Sequence, residues 1–199
     1  MKPDDLLKLI KNRRTIRKYE NKPIPIKIIN KIIEAGRWGP SLMAPGFQPW
    51  KFIIINDKDK IKNISDILLV KSYTRGVGRN TILRMAAQTI SNAQTVIVVY
   101  NTLEVSEFIK RINKSYHKFS QITEVSAIAA SIQNMILVAY SLGVETCWLE
   151  APMFCKKEIN KLLGIRDEEL VAILTLGYPA EKGKRSKRKP IRETVKWFK

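Results

Sequence analysis

The stretch from Gly36 to Asn56, G-R-W-G-P-S-L-M-A-P-G-F-Q-P-W-K-F-I-I-I-N, constrains the chain more than any other. Pro40, Pro45, Gly46 and Pro49 forbid a helix between Gly39 and Pro49, and Lys51 to Ile55 reads as a β-branched strand bounded by Asn56 and Asp57. A rigid loop therefore feeds a strand expected to be buried. Three prolines remove unfolded-state entropy, so the loop can hold Ser41, Gln48 and backbone groups in fixed positions toward a ligand. The same features suit a purely structural connection, and this stretch alone does not separate the two.

Upstream, Pro3 to Asn12 reads as a helix with Asp4 and Asp5 in its first turn and Leu6, Leu7 and Ile10 on one face. Arg13-Arg14-Thr15-Ile16-Arg17 follows. Three guanidinium groups and a hydroxyl so close together suit a phosphate clamp, although solvated basic turns have the same composition. Pro25 opens a second helix, with Ile28, Ile29, Ile32 and Ile33 at helical spacing, that stops at Gly36.

Downstream, Ile61 to Lys71 is helical and Gly76-Val77-Gly78 breaks it; that Gly-x-Gly lacks the third glycine and the preceding strand of a dinucleotide fingerprint. Thr81 to Ala93 is a helix and Thr95 to Tyr100 a buried strand. Val105 to Gln121 is either a lid over a ligand or an amphipathic surface helix. Glu124 to Leu142 is apolar nearly all round and so is expected to be buried nearly all round. Its Ser126, Ala127, Ala130 and Ser131 allow another backbone close, in the core or at a subunit interface. Val144 to Glu150 reads as extended, Lys156 to Leu163 as a helix, and Leu170 to Leu176 as a further buried strand. The tail from Glu181 carries seven basic residues between Lys182 and Arg192 yet ends in Val195, Trp197 and Phe198, so its end is expected to be anchored.

Helices and strands interleave without a regular strand–helix–strand alternation, which predicts an α+β fold. With 199 residues, 45% of them hydrophobic, the chain is expected to form one domain, residues 1–199, with 180–199 as an extended arm. No run approaches the roughly 20 apolar residues of a membrane helix, and Asp4 and Asp5 do not suit a signal peptide, so a cytoplasmic location is expected. Cys147 and Cys155 read as reduced core residues. His117 is the sole histidine, which removes Ser-His-Asp, Cys-His and histidine-metal chemistry, so catalysis would come from a cofactor. The net charge of +18 attracts phosphates of any kind and keeps a nucleic-acid-binding protein as a rival, but no helix-turn-helix, zinc-finger or aromatic-platform signature accompanies it.

Several motifs in order resemble the FMN-dependent nitroreductase family. They are the Arg13-Arg14-Thr15-Ile16-Arg17 cluster, Gly39-Pro40-Ser41 leading to Gln48-Pro49-Trp50, Asn134 followed by Gly143, Cys147-Trp148, Leu163-Gly164, Leu176-Gly177-Tyr178-Pro179 and Arg188-Lys189-Pro190. The resemblance implies a mixed sheet flanked by helices in an intertwined homodimer, with FMN at the interface and the C-terminal tail on the partner. It implies that Arg13, Arg14, Thr15 and Arg188 hold the FMN phosphate and that Arg17 reaches the N1 edge of the flavin. Pro40, Ser41 and Gln48 would line the ring, with Glu150 and Ala151 near N5. NADH or NADPH would be the electron donor and a small molecule such as a nitroaromatic or quinone the acceptor. Without a dinucleotide fingerprint the two would share the flavin face, giving ping-pong kinetics. A non-catalytic FMN carrier or sensor is the alternative within this resemblance. The loop between Ser41 and Gln48 is longer than is usual in the family and lacks its Asn.

Overall fold

Val96 to Tyr100 is buried on both faces, and this strand organises the molecule. A computed structural model describes residues 3–41, 46–73 and 81–198. Successive strand side chains point to opposite sides of a sheet. Accordingly Val96, Val98 and Tyr100 enter one core while Ile97 and Val99 enter the other.

Among the described residues four strands form one sheet in the order β1 (Trp50–Ile55), β2 (Thr95–Asn101), β4 (Glu169–Gly177), β3 (Glu145–Leu149), each pair antiparallel. The parallel element is a bridge between Thr15 and Thr146 on the β3 edge, which makes the sheet mixed. β2 and β4 shift register between Val99 and Tyr100, where a bulge increases the local twist. The central strands are apolar throughout because helices cover both faces. α3 (Lys58–Ser72), α4 (Thr81–Ser91) and α7 (Lys156–Leu163) supply Ile64, Leu68, Leu83 and Ile159 on one side. α2 (Ile26–Arg37) and α6 (His117–Ser141) supply Ile29, Ile32, Ile128, Ile132 and Met135 on the other.

Two strand and helix expectations are corrected. β1 is an edge strand and only half-buried: Trp50 and Ile55 are inside, whereas Lys51 and Ile54 face outward and Lys51 pairs with Glu168. Within one chain α6 is buried along a single stripe, Glu124, Ala127, Ile128, Ser131, Ile132, Met135, Ile136 and Ala139, while Ile122 and Val125 are exposed. Its small residue Ser131 meets α2, donating to the Gly36 carbonyl at 2.7 Å. The expectation that no segment approaches membrane-spanning length and apolarity also fails, because the helical stretch Lys114–Ser141 meets both measures. Core packing of its buried stripe accounts for part of that apolarity.

Val105 to Gln121 does not form one helix. It divides into α5 (Glu104–Ile112), a 3₁₀ turn at Lys114–Tyr116 and the first turns of α6. Fully buried Glu124 explains the break. Its carboxylate accepts from the main-chain N–H groups of Val105 and Ser106 and from the Asn101 amide, each at 3.0 Å, and so caps the start of α5 from a neighbouring helix.

The segment after α1 (Pro3–Asn12) is stitched to the sheet edge. Ile16 N–H donates to Thr146 O at 3.1 Å, Glu20 N–H to Tyr178 O at 2.9 Å, and Ala180 N–H to Lys18 O at 2.9 Å. Tyr19 closes the seam: its hydroxyl donates to Ile16 O at 2.7 Å and lies 2.8 Å from Thr175 Oγ1, while its ring lies flush on Gly177. A methyl at Gly177 would sit 2.5 Å from that ring, closer than carbon atoms approach. Gly177→Ala should therefore displace Tyr19 and lower stability by about 1–3 kcal/mol in urea unfolding, an overpacking cost. An unchanged midpoint would show that the seam does not depend on this contact.

Candidate functional site

The stitched segment and the C-terminal arm form the walls of a cleft of about 920 Å³, large enough for a cofactor. Arg13, Arg14, Thr15, Arg17 and Lys18 line it from the N-terminal side, with Lys11 at the end of α1. Lys182, Lys184, Arg185 and Arg188 line it from the arm, and Met85, Gln88 and Thr89 of α4, with Asn92 just after that helix, complete it. Nine cationic side chains thus face one carboxylate, Glu181.

That carboxylate is occupied. Glu181 Oε1 accepts from the main-chain N–H groups of Arg17 at 2.8 Å and Lys18 at 3.3 Å, which holds the arm against the stitched segment and leaves the guanidinium of Arg17 without this counterion. Asn92, in the turn that follows α4, fixes the same segment by donating to Arg17 O at 3.3 Å. The arm also passes close to Arg14: a Cβ on Gly183 would lie 2.2 Å from that of Arg14, so only glycine permits the crossing. Arg14 in turn donates to the carbonyls of Lys11 and Arg13, both at 2.7 Å, capping the end of α1 and orienting its guanidinium along the cleft wall. Arg188 bonds to the hydroxyl of Ser186 within the arm.

Behind the cleft, Glu145 on β3 precedes the bridge residue Thr146, and its Oε2 is buried without a hydrogen-bond partner. Burial pushes its carboxyl up, and the nearby Arg13 and Arg14 oppose that shift. Burial likewise raises the Cys147 thiol against the pull of Arg17 and Arg13, and raises Cys155 to about 11.

The structure thus brings together five of the ten residues singled out from the sequence, Arg13, Arg14, Thr15, Arg17 and Arg188. The other five do not line this cleft. Pro40 and Ser41 are exposed beyond the end of α2, where Asn134 of α6 donates to Trp38 O at 3.3 Å. Gln48 is exposed just before β1, and the neighbouring Phe47 ring lies 5.7 Å from that of Phe108 on α5. Glu150 and Ala151 follow β3 at the start of a 3₁₀ turn, Ala151–Cys155. Met43 and Pro45 of the loop, and the Gly76-Val77-Gly78 motif, lie outside the described residues.

Sequence reasoning missed three contributors. Gln88 and Asn92 belong to a helix read only for its core face, although their polar spacing on the opposite face was visible. Glu181, the first acid before a basic run, gave no sign that it would cap a turn so far away in sequence. At the tail's aromatic end Trp197 and Phe198 are 82% and 85% exposed, so the described residues of one chain do not bury them.

A sheet covered by helices on both faces, with a basic cleft built from both ends of the chain, defines a protein of α+β class. The family model that matches residues 10–178 is the Nitroreductase family, and the chain belongs to that family. A provisionally named NADH dehydrogenase/NAD(P)H nitroreductase of Archaeoglobus fulgidus is 30% identical over 184 residues, covering 89% of this chain and 87% of that protein. Among solved structures, a BluB-like flavoprotein from Clostridium difficile 630 superposes with a TM-score of 0.79 at 23% identity over the whole of both chains. A provisionally named Desulfovibrio desulfuricans nitroreductase, solved in complex with FMN, gives 0.73 at 24% identity over 98% of this chain and 96% of that one.

The environment of the two thiols yields a test of their chemistry. Both cysteines are free, buried and raised in pKa, so at pH 8 the folded protein should show no fast-reacting thiol toward a disulfide reagent, and two on unfolding. One rapid equivalent from native protein would contradict the reading of both as core residues.

Proposed function

We propose that this chain is an FMN-dependent oxidoreductase that accepts electrons from NADH or NADPH and passes them to a small organic acceptor such as a nitroaromatic or quinone. The observation that supports it most is the convergence of Arg13, Arg14, Thr15, Arg17 and Arg188, from opposite ends of the sequence, on one cleft. The donor set fits a phosphate dianion: guanidinium forks, a hydroxyl, and a glycine crossing that keeps the arm close. Bound FMN supplies the electron-transfer chemistry.

The chain's own residues then have separable tasks. Arg13, Arg14 and Arg188 neutralise the phosphate, and Thr15, fixed by its bridge to Thr146, adds a neutral donor. Arg17, whose backbone is fixed by Glu181 and Asn92, would stand by the flavin N1 edge and there supply positive charge to offset the negative charge of the reduced ring. Pro40, Ser41, Gln48, Glu150 and Ala151 would line the ring. Because they stand away from the phosphate cleft, we assign them to a site completed by a second copy of the chain. Exposed Leu6, Leu7 and Ile10 on α1, the outer face of α6, and Trp197 and Phe198 on the arm supply the apolar surface for such a homodimer, with the arm on the partner. Donor and acceptor would use the same flavin face in turn, hence ping-pong kinetics.

The decisive experiment is anaerobic stopped-flow mixing of FMN-loaded protein with NADH or NADPH. Bleaching of the oxidised flavin band within seconds, reversed by a quinone or nitroaromatic, is expected; flavin that stays oxidised with both nucleotides would favour the carrier reading. Each charge-assisted phosphate contact contributes about 1.5–3 kcal/mol. Arg13→Ala combined with Arg188→Ala should therefore weaken FMN by roughly 10²- to 10⁴-fold and yield folded, colourless protein. Undiminished flavin content would refute the clamp. Arg17→Gln should lower the flavin midpoint potential while weakening FMN much less than the double variant does. Equal midpoints in a potentiometric titration would remove Arg17 from that role.

A further inference from the structure

The charge of the cleft exceeds what one FMN phosphate can neutralise. A phosphate monoester carries about −1.5 to −2 at pH 7, whereas nine cations line the cleft and its one carboxylate is engaged by main-chain N–H groups. None of those nine cations makes an ion pair with an acid among the described residues. The clamp and the Arg17 role leave Lys11 and Lys18 on one wall and Lys182, Lys184 and Arg185 on the arm unassigned, all exposed. Glu145 lies behind Arg13 and Arg14, but the like charges on the arm repel one another, so an arrangement of this kind is stabilised by a second anionic group.

We propose that Lys182, Lys184 and Arg185, with Lys11, form a second phosphate subsite that receives the 2′-phosphate of NADPH and makes this chain select NADPH over NADH. This rests on the oxidoreductase reading above. Both nucleotides carry a pyrophosphate, so attraction to that group alone cannot discriminate. The 2′-phosphate is a terminal monoester with three acceptor oxygens, able to take a guanidinium fork from Arg185 and point charges from the lysines together. The arm holds the two anion sites side by side, because Gly183 and Glu181 pin it to Arg14 and Arg17 while Lys182 between these anchors and Lys184 and Arg185 just beyond them are left to a second ligand.

The test uses FMN-loaded protein and two non-reducing probes that differ only in the 2′-phosphate, 2′,5′-ADP and 5′-AMP, titrated by calorimetry at fixed ionic strength. The parent chain should bind 2′,5′-ADP at least tenfold more tightly than 5′-AMP. The triple variant Lys182→Ser, Lys184→Ser, Arg185→Ser should lose that preference and keep its FMN. In steady state the same variant should raise KM for NADPH at least tenfold with kcat and KM for NADH little changed. If the triple variant is poorly folded, Lys184→Gln and Arg185→Gln singly should each narrow the preference. Equal affinities for the two probes in the parent, a preference that survives all variants, or inorganic phosphate binding as tightly as 2′,5′-ADP would overturn the subsite. A parent chain that takes up no FMN fails at the earlier reading instead, whereas an FMN-loaded parent with equal affinities defeats the subsite alone.

Discussion

The seam between residues 15–20 and the ends of β3 and β4 is the interaction on which the candidate site depends. A run of arginines on a free turn would be a solvated basic patch. Here Ile16 is buried, three main-chain hydrogen bonds tie the segment to Thr146, Tyr178 and Ala180, and Tyr19 locks it through its hydroxyl and its ring. The alternation of side chains along that segment does the rest: Ile16 and Tyr19 face the core, and Arg17 and Lys18 face outward. Preorganised charge of this kind binds an anion without first having to order its own backbone.

Much of this was legible in the residues, and the limits have physical causes. The bounds of α1 and α7, the strand at Thr95 and the one at Leu170 follow from apolar runs and from proline and glycine punctuation, which are local signals. What sequence does not carry is position within the sheet. Lys51 to Ile55 and Val96 to Tyr100 have similar compositions, yet only the second is central, because strand order is decided by long-range pairing. The start of α6 was obscured for a comparable reason. Its first turns are amphipathic and end at a buried Glu124, a residue that looks like a solvated acid until its three donors on another element are seen. For the site, the arginine cluster announced itself, while Gln88 and Asn92 showed only a polar spacing and Glu181, which acts across distant segments, had no local signature.

The division of the flagged residues between two regions follows from the same architecture. Pro40, Ser41 and Gln48 sit on the connection from α2 to the β1 edge, whereas the arginines sit beyond the β3 edge, at the opposite end of the strand order β1-β2-β4-β3. The proposed sharing of one ligand between two copies of the chain would bring these two groups together. The exposed apolar stripe of α1 and the outer side of α6 fit that arrangement, since a chain of this size seldom leaves so many large apolar side chains in water.

The arm crossing at Gly183 has a thermodynamic consequence. The arm and the Arg13–Arg17 segment carry the same sign of charge, and between them stand only a glycine contact, one carboxylate and main-chain hydrogen bonds. An anion in the cleft is therefore also a counterion that relieves repulsion between the two ends of the chain, and its binding free energy becomes part of the protein's resistance to unfolding. At a ligand concentration a hundred times its dissociation constant that linkage amounts to about 2.7 kcal/mol. The melting temperature of this protein should therefore rise with the concentration of an anion that fills the cleft, and a bound cofactor would act as the last structural element to be added to the fold.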